Sequence, residues 1–164
     1  MNRGRSPVQA GLRYVEAARI AVLSGPRLVR MRWLLDHDGY AEAKVAAESL
    51  GRQHRVARVG PLGTALIVNR VASLLPGRLN CLPRALTVWS FTRAAGYPTE
   101  LKIGVAPRAD AGRRIEAHAW VELNGFALAE STTRYVTMPV EASRPTPGSV
   151  AMRDMARTAS EVLR

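Results

Sequence analysis

Apolar side chains recur at Val8, Leu12, Val15 and Val22, near the 3.6-residue period of a helix with one buried stripe. The triplet "SGP" at 24–26 predicts the end of that segment, because proline lacks the amide hydrogen that a helix interior uses. A second helix is expected from Arg27 to Leu35. "DHDGY" then predicts a turn with Gly39 at the helix end, followed by "AEAKVAAESL", which is rich in strong helix formers. Another helix, "LGTALIVNRVASLL", begins after Pro61 and stops at "PG". The first half of the chain is therefore expected to be helical throughout.

Beyond Gly96 and Pro98 the period falls to two. In "ELKIGVA", Leu101, Ile103 and Val105 alternate with Lys102, Gly104 and Ala106, which predicts a strand with one buried face. "PRADAGRR" reads as a mobile basic loop and "IEAHAWVEL" as the second strand. "NG" at 124–125 marks a hairpin, with "FALAE" as the third strand and "RYVTM" as a fourth. "PVEASRPTPGS" breaks regular structure, and residues 150–163 have the pattern of a last amphipathic helix. The fold class expected is α+β: a helical N-terminal half, then a central cysteine-bearing helix packed on a small antiparallel sheet. As one domain it divides into a helical part over 1–78, a helix-plus-sheet core over 79–138, and a proline-rich linker with a terminal helix over 139–164.

Composition narrows the chemistry. A chain of 164 residues, 47% hydrophobic, can bury a core without metal or disulfide support. Its single cysteine forms no internal disulfide, no Cys/His cluster has zinc-ligand spacing, and there is no P-loop or dinucleotide fingerprint. No metal or cofactor is expected. The longest uncharged stretch, "VGPLGTALIVN", is too short to span a bilayer, and the N-terminus lacks the layout of a secretory signal, so the expected location is cytoplasmic. The net charge of +11 is concentrated in residues 1–80, where 13 Lys+Arg face 5 Asp+Glu, giving +8. Lys44 and Lys102 are the only lysines. Charge alone admits nucleic acid, an acidic membrane surface or an acidic polypeptide as partner.

The lone cysteine stands in "NCLPRALTVWS". With Asn80 as N-cap, Cys81 takes the first helical position and Pro83 fits the first turn. A thiol attacks as its thiolate, and helix-terminal amides together with an imidazole favour that anion. The plain alternative is an inert core residue. On the expected strand, His118 points away from the small apolar face formed by Ala117, Ala119, Val121 and Leu123. His37 in "DHDG" and His54 in "RQHRV" lie in turn or basic surroundings. An acid that fixes the imidazole is sought in Glu130, twelve residues past His118, with Glu122 or Asn124 as substitutes. A three-residue loop, Leu123-Asn124-Gly125, places His118 opposite Glu130. A two-residue Asn-Gly turn pairs Ala119 with Glu130 instead and joins Leu123 to Phe126, which the hydrophobic pattern slightly favours. Asn80 is an oxyanion candidate as well as a cap, and Trp120 either packs or walls the cleft beside His118.

The order and context of these residues resemble the leader peptidase of lasso-peptide biosynthesis, the maturation B protein with a transglutaminase-like, papain-related fold. The matching text is "CLPRALTVWSFTRAAGYPTELKIGVAP" followed by "AHAWVELNGFALAE", roughly residues 80 to 130. The resemblance implies Cys81 as nucleophile, His118 as imidazole and Glu130 as acid, where the family usually has aspartate. It implies removal of the leader from a ribosomally made lasso precursor by a cysteine protease. The helical N-terminal half resembles the stand-alone form, which implies a separate small leader-recognition protein and an ATP-dependent lasso cyclase as partners. Nucleic acid and membrane are not expected partners. Two other readings stay open: a basic nucleic-acid-binding module, motivated by the +8 half, and a transglutaminase-like acyltransferase that passes the acyl group to an amine.

Overall fold

A computed structural model of the chain describes residues 7–51, 58–77, 79–107 and 115–138. The expected basic loop from 108 on, His54, the proline-rich stretch and the helix over 150–163 lie outside the described residues.

The first element, α1 (Pro7–His37), is one helix of 31 residues, not the two expected on either side of "SGP". Pro26 sits inside it and removes one amide donor, so the Val22 carbonyl lacks its usual partner. Val22 is 73% exposed and Pro26 is exposed, which puts the defect on the solvent side of the helix. On the buried side the ladder is reinforced: Ser24 is fully buried and its Oγ donates to the Ile20 carbonyl at 2.6 Å. The helix ends at Gly39, whose φ of 95° suits glycine, with the Asp38 and Gly39 amides both donating to Leu34 O at 2.8 and 2.9 Å. His37 belongs to this terminus. Its Nδ1 lies 2.9 Å from Trp33 O and its ring stacks on Trp33.

Helices α2 (Tyr40–Gly51) and α3 (Pro61–Leu74) follow, as the pattern predicts. Glu16 of α1 accepts the Arg58 and Val59 amides at 2.7 and 3.0 Å, tying the approach to α3 onto α1. The fourth helix, α4 (Cys81–Ala94), touches α1, α2, α3 and two strands, and every side chain from Ala85 to Thr92 is buried. A helix buried all round over two turns is the centre of the core. Its hydroxyls are satisfied locally: Thr87 donates to Pro83 O, Ser90 to Thr87 O, and Thr92 shares a bond with Thr99. Arg27 reaches this helix from α1, buried beneath solvent, with its guanidinium 4.0 Å from the Phe91 ring centroid.

The sheet has four antiparallel strands in the order β3-β2-β1-β4: β1 (Thr99–Pro107), β2 (Ile115–Leu123), β3 (Phe126–Ala127) and β4 (Val136–Met138). Leu101 pairs with Val121 and Ile103 with Ala119, so these four share the face that packs on the α4 core. Lys102 with Trp120 and Gly104 with His118 share the other face. This is the α+β arrangement expected from the sequence, with "FALAE" corrected to a strand of two residues. No helix among the described residues is long and apolar enough to cross a membrane.

Candidate active site

Cys81 is the first residue of α4, as the capping pattern predicts. Asn80 has the extended backbone of an N-cap, φ −63° and ψ 168°, but its side chain makes no capping hydrogen bond. Its amide is exposed and unspent on the helix end, which corrects the expectation of side-chain capping. Leu79, Cys81 and Leu82 pack at the margin of the core, half-buried. The thiol Sγ lies 4.0 Å from the carbonyl oxygen of Ala117 on β2. Sulfur is thus set against the peptide that immediately precedes His118, and no hydrogen bond joins sulfur and imidazole directly.

His118 and Glu130 meet directly. His118 Nε2 is 2.5 Å from Glu130 Oε2, with both side chains mostly shielded, at 18% and 21% exposure. The hairpin between them runs in the two-residue register: Leu123 pairs with Phe126 and Glu122 with Ala127, around Asn124 at φ 52° and Gly125 at φ 80°. Both turn residues are left-handed, as this tight hairpin turn requires. A ladder continued in that register sends Glu130 to the far face. It does not continue. The last ladder bond is Leu128 N–H to Val121 O at 2.9 Å, and Ala129 then adopts φ 60°. That left-handed residue redirects the chain and brings Glu130 back to His118. The three-residue loop considered from the sequence is absent, yet the contact it was meant to explain is present.

An aromatic cluster holds the other side of the imidazole. Trp120 lies two residues along β2, its ring centroid 6.0 Å from that of His118 at an interplanar angle of 17°. Tyr135 stacks closer, at 4.9 Å and 24°. Trp120 is buried and its Nε1 donates to Glu122 Oε1 at 2.7 Å, so Glu122 serves the indole and not the imidazole. Tyr135 Oη donates to Glu116 Oε1 at 3.0 Å and accepts from Arg134 Nη2 at 2.6 Å. Burial first, and then the bond to Glu116, hold the Tyr135 phenol above its ordinary pKa, so it stays neutral beside the histidine. Gly104 makes room for this arrangement: a Cβ there would stand 2.7 Å from the Trp120 ring and 2.9 Å from Val136 O.

Tyr135 is the residue that sequence reasoning missed. "RYVTM" reads only as a strand, and nothing in its pattern marks the side chain that lands on His118. Asn124 is exposed in the turn, so neither substitute orienter is needed. Among the described residues no group of three or more His, Cys, Asp or Glu could hold a metal ion.

A helix start, a sulfur, a strand imidazole and a carboxylate thus lie on one helix-and-sheet unit. The family model described as the Transglutaminase-like superfamily matches residues 21–140. The chain belongs to that superfamily, which includes cysteine proteases and acyltransferases built on this helix-and-sheet core. No curated protein and no solved structure gives a match.

Proposed function

We propose that the protein is a cysteine peptidase that cuts the leader from a ribosomally made lasso-peptide precursor, with Cys81 as nucleophile, His118 as acid and base, and Glu130 as orienting carboxylate. The observation that carries the reading is the His118–Glu130 pair at 2.5 Å on the strand whose Ala117 carbonyl lies 4.0 Å from the Cys81 sulfur. Membership in the superfamily supports thiol chemistry on an acyl group. The sequence text around Cys81 and His118 supports the lasso pathway.

With Glu130 accepting the hydrogen on Nε2, Nδ1 is the ring nitrogen left to exchange protons with sulfur and substrate. The Cys81 thiolate adds to the scissile carbonyl, and the oxyanion is met by unpaired amides at the start of α4 and by the free Asn80 side chain. Collapse breaks the C–N bond, His118 gives its proton to the leaving amine, and an acyl thioester remains on Cys81. Water, losing a proton to His118, then adds to the thioester and releases the carboxylate and the thiol. Glu130 stabilises the imidazolium throughout without taking its proton.

A small leader-recognition protein would present the precursor, and an ATP-dependent cyclase would consume the freed core. The test is cleavage of a lasso precursor peptide, with a leader-recognition protein supplied. Wild-type protein should give free leader and core by mass, and Cys81→Ala should give neither while keeping its far-ultraviolet spectrum and melting temperature. Cleavage undiminished in Cys81→Ala overturns the proposal. A leader joined to an added amine, in place of free leader, would assign the acyltransferase activity instead.

A further inference from the structure

In a chain whose basic residues are otherwise all arginine, both lysines line one cleft. The cleft, about 630 Å³, lies between α2, the C-terminal end of α4, the start of β1 and the edge strand β4. Lys44 enters from α2, Arg93 from α4 and Lys102 from β1. Glu100 is the one carboxylate in the lining, and it is taken up by Lys102, with Nζ 2.6 Å from Oε2. Lys44 and Arg93 have no carboxylate partner among the described residues. Three cations and one anion leave a net positive charge of two in a concave site, where walls of low dielectric concentrate the field.

The last-turn position of Arg93 suits the negative end of α4, which explains that side chain alone. It does not explain why Lys44 and Lys102, from two other elements, line the same cleft. The rest of the wall is mixed: Leu101 and the half-exposed Met138 beside the hydroxyl of Thr137. Apolar contact with flexible ammonium groups suits carboxylate side chains on a peptide better than a bare inorganic anion, which calls for a rigid cradle of donors.

We propose that this cleft holds an acidic stretch of the polypeptide substrate, and in this the inference rests on the reading of Cys81 as a peptidase nucleophile. Arg93 lies twelve residues along α4 from Cys81, about 18 Å at 1.5 Å per residue. An extended chain covers that span in about six residues at 3.3 Å each. The acidic stretch therefore lies at least that far from the bond that is cut.

The test uses the full chain carrying Cys81→Ala and fluorescein-labelled hexaglutamate, read by anisotropy at low salt. Binding should weaken by at least about tenfold when Lys44→Glu and Arg93→Glu are combined, and by less than about twofold with Arg30→Glu and Arg70→Glu, which make the same change in net charge elsewhere. Lys44→Gln with Arg93→Gln, a milder pair, should give a severalfold loss with an unchanged melting temperature. Equal weakening by the cleft pair and the control pair overturns the proposal in favour of bulk charge. Full displacement by inorganic phosphate at the concentration of the peptide overturns the polypeptide assignment in favour of a small-anion site. Because no bond is cut in this assay, its outcome is independent of the cleavage test on Cys81.

Discussion

His118 and Glu130 stand 2.5 Å apart although the ladder joining their strands, if continued, would carry them to opposite faces of the sheet. One residue resolves the conflict. Ala129, at φ 60°, ends the pairing that Leu128 N–H still makes with Val121 O. A left-handed alanine costs roughly 1–2 kcal/mol, which glycine largely avoids. Ala129→Gly should therefore preserve cleavage and raise stability by up to about 1 kcal/mol in chemical unfolding. Ala129→Val, whose branched side chain resists this conformation, should lower both. Equal activity and stability for glycine and valine would deny the bend its role.

Glu130→Gln keeps the shape of the side chain and removes its charge. The amide can still accept a hydrogen bond from Nε2, but it stabilises an imidazolium less, so the loss should fall on the chemical step. The expected result is a drop in kcat of at least about tenfold, near 1.4 kcal/mol of barrier, with KM little changed. Glu130→Asp should fall between Glu130→Gln and wild type, because it keeps the charge but sits one methylene short of Nε2. Turnover unaltered in Glu130→Gln would move the orienting role elsewhere.

How far the site could be read in advance differs by element. β2 was legible to the residue, because alternation in "IEAHAWVEL" fixes which side chains share a face. The start of α4 was legible for the same kind of reason: asparagine, then cysteine, then proline in the first turn. Glu130 was not, since its placement depends on Ala129 leaving the ladder, and alanine carries no signal for a left-handed conformation. Pro26 misled because the local rule that proline ends helices takes no account of tertiary packing, and the buried side of α1, with Ile20, Ser24, Arg27 and Leu28, runs past the proline into the core. Tyr135 was invisible because it is brought to His118 by the return of β4 beside β1, where Val105 pairs with Val136 and Ile103 with Met138, a long-range relation and not a local pattern.

Gly104 pairs with His118 in the sheet, and the Trp120 ring lies across it. A methyl at 2.7 Å from one carbon of the indole and 2.9 Å from another has no room, and Val136 O closes the other side. Gly104→Ala should destabilise by about 1–3 kcal/mol through overpacking, measured by thermal or chemical unfolding. Its displacement of the indole should also disturb the His118 ring, visible as altered imidazole ring-proton chemical shifts by NMR. Adding Trp120→Phe should recover part of the loss, since the smaller ring vacates the space, giving a favourable coupling in a double-mutant cycle. Strict additivity of the two changes would place the cost of the methyl elsewhere, on the Val136 backbone.

Tyr40, at the start of α2, has a hydroxyl oxygen shut off from solvent with no hydrogen-bond partner. Burial, and then the nearby charge of Glu48, raise its pKa above the ordinary phenol value. The folded chain therefore holds this proton at a pH where the unfolded chain has released it. Below about pH 10 the hydroxyl is neutral in both states and ionisation contributes nothing to their difference; above it, ionisation favours the unfolded chain and stability falls as pH rises through the raised value. Tyr40→Phe removes both effects. At neutral pH it should match or exceed wild type, by up to about 1 kcal/mol, because an unsatisfied buried hydroxyl is deleted with little change of shape. Between pH 10 and 11 the advantage should widen, since only the wild type has this proton to lose. A phenylalanine variant less stable than wild type at pH 7, or a gap that narrows on going alkaline, would show that the hydroxyl has a bonding partner in solution.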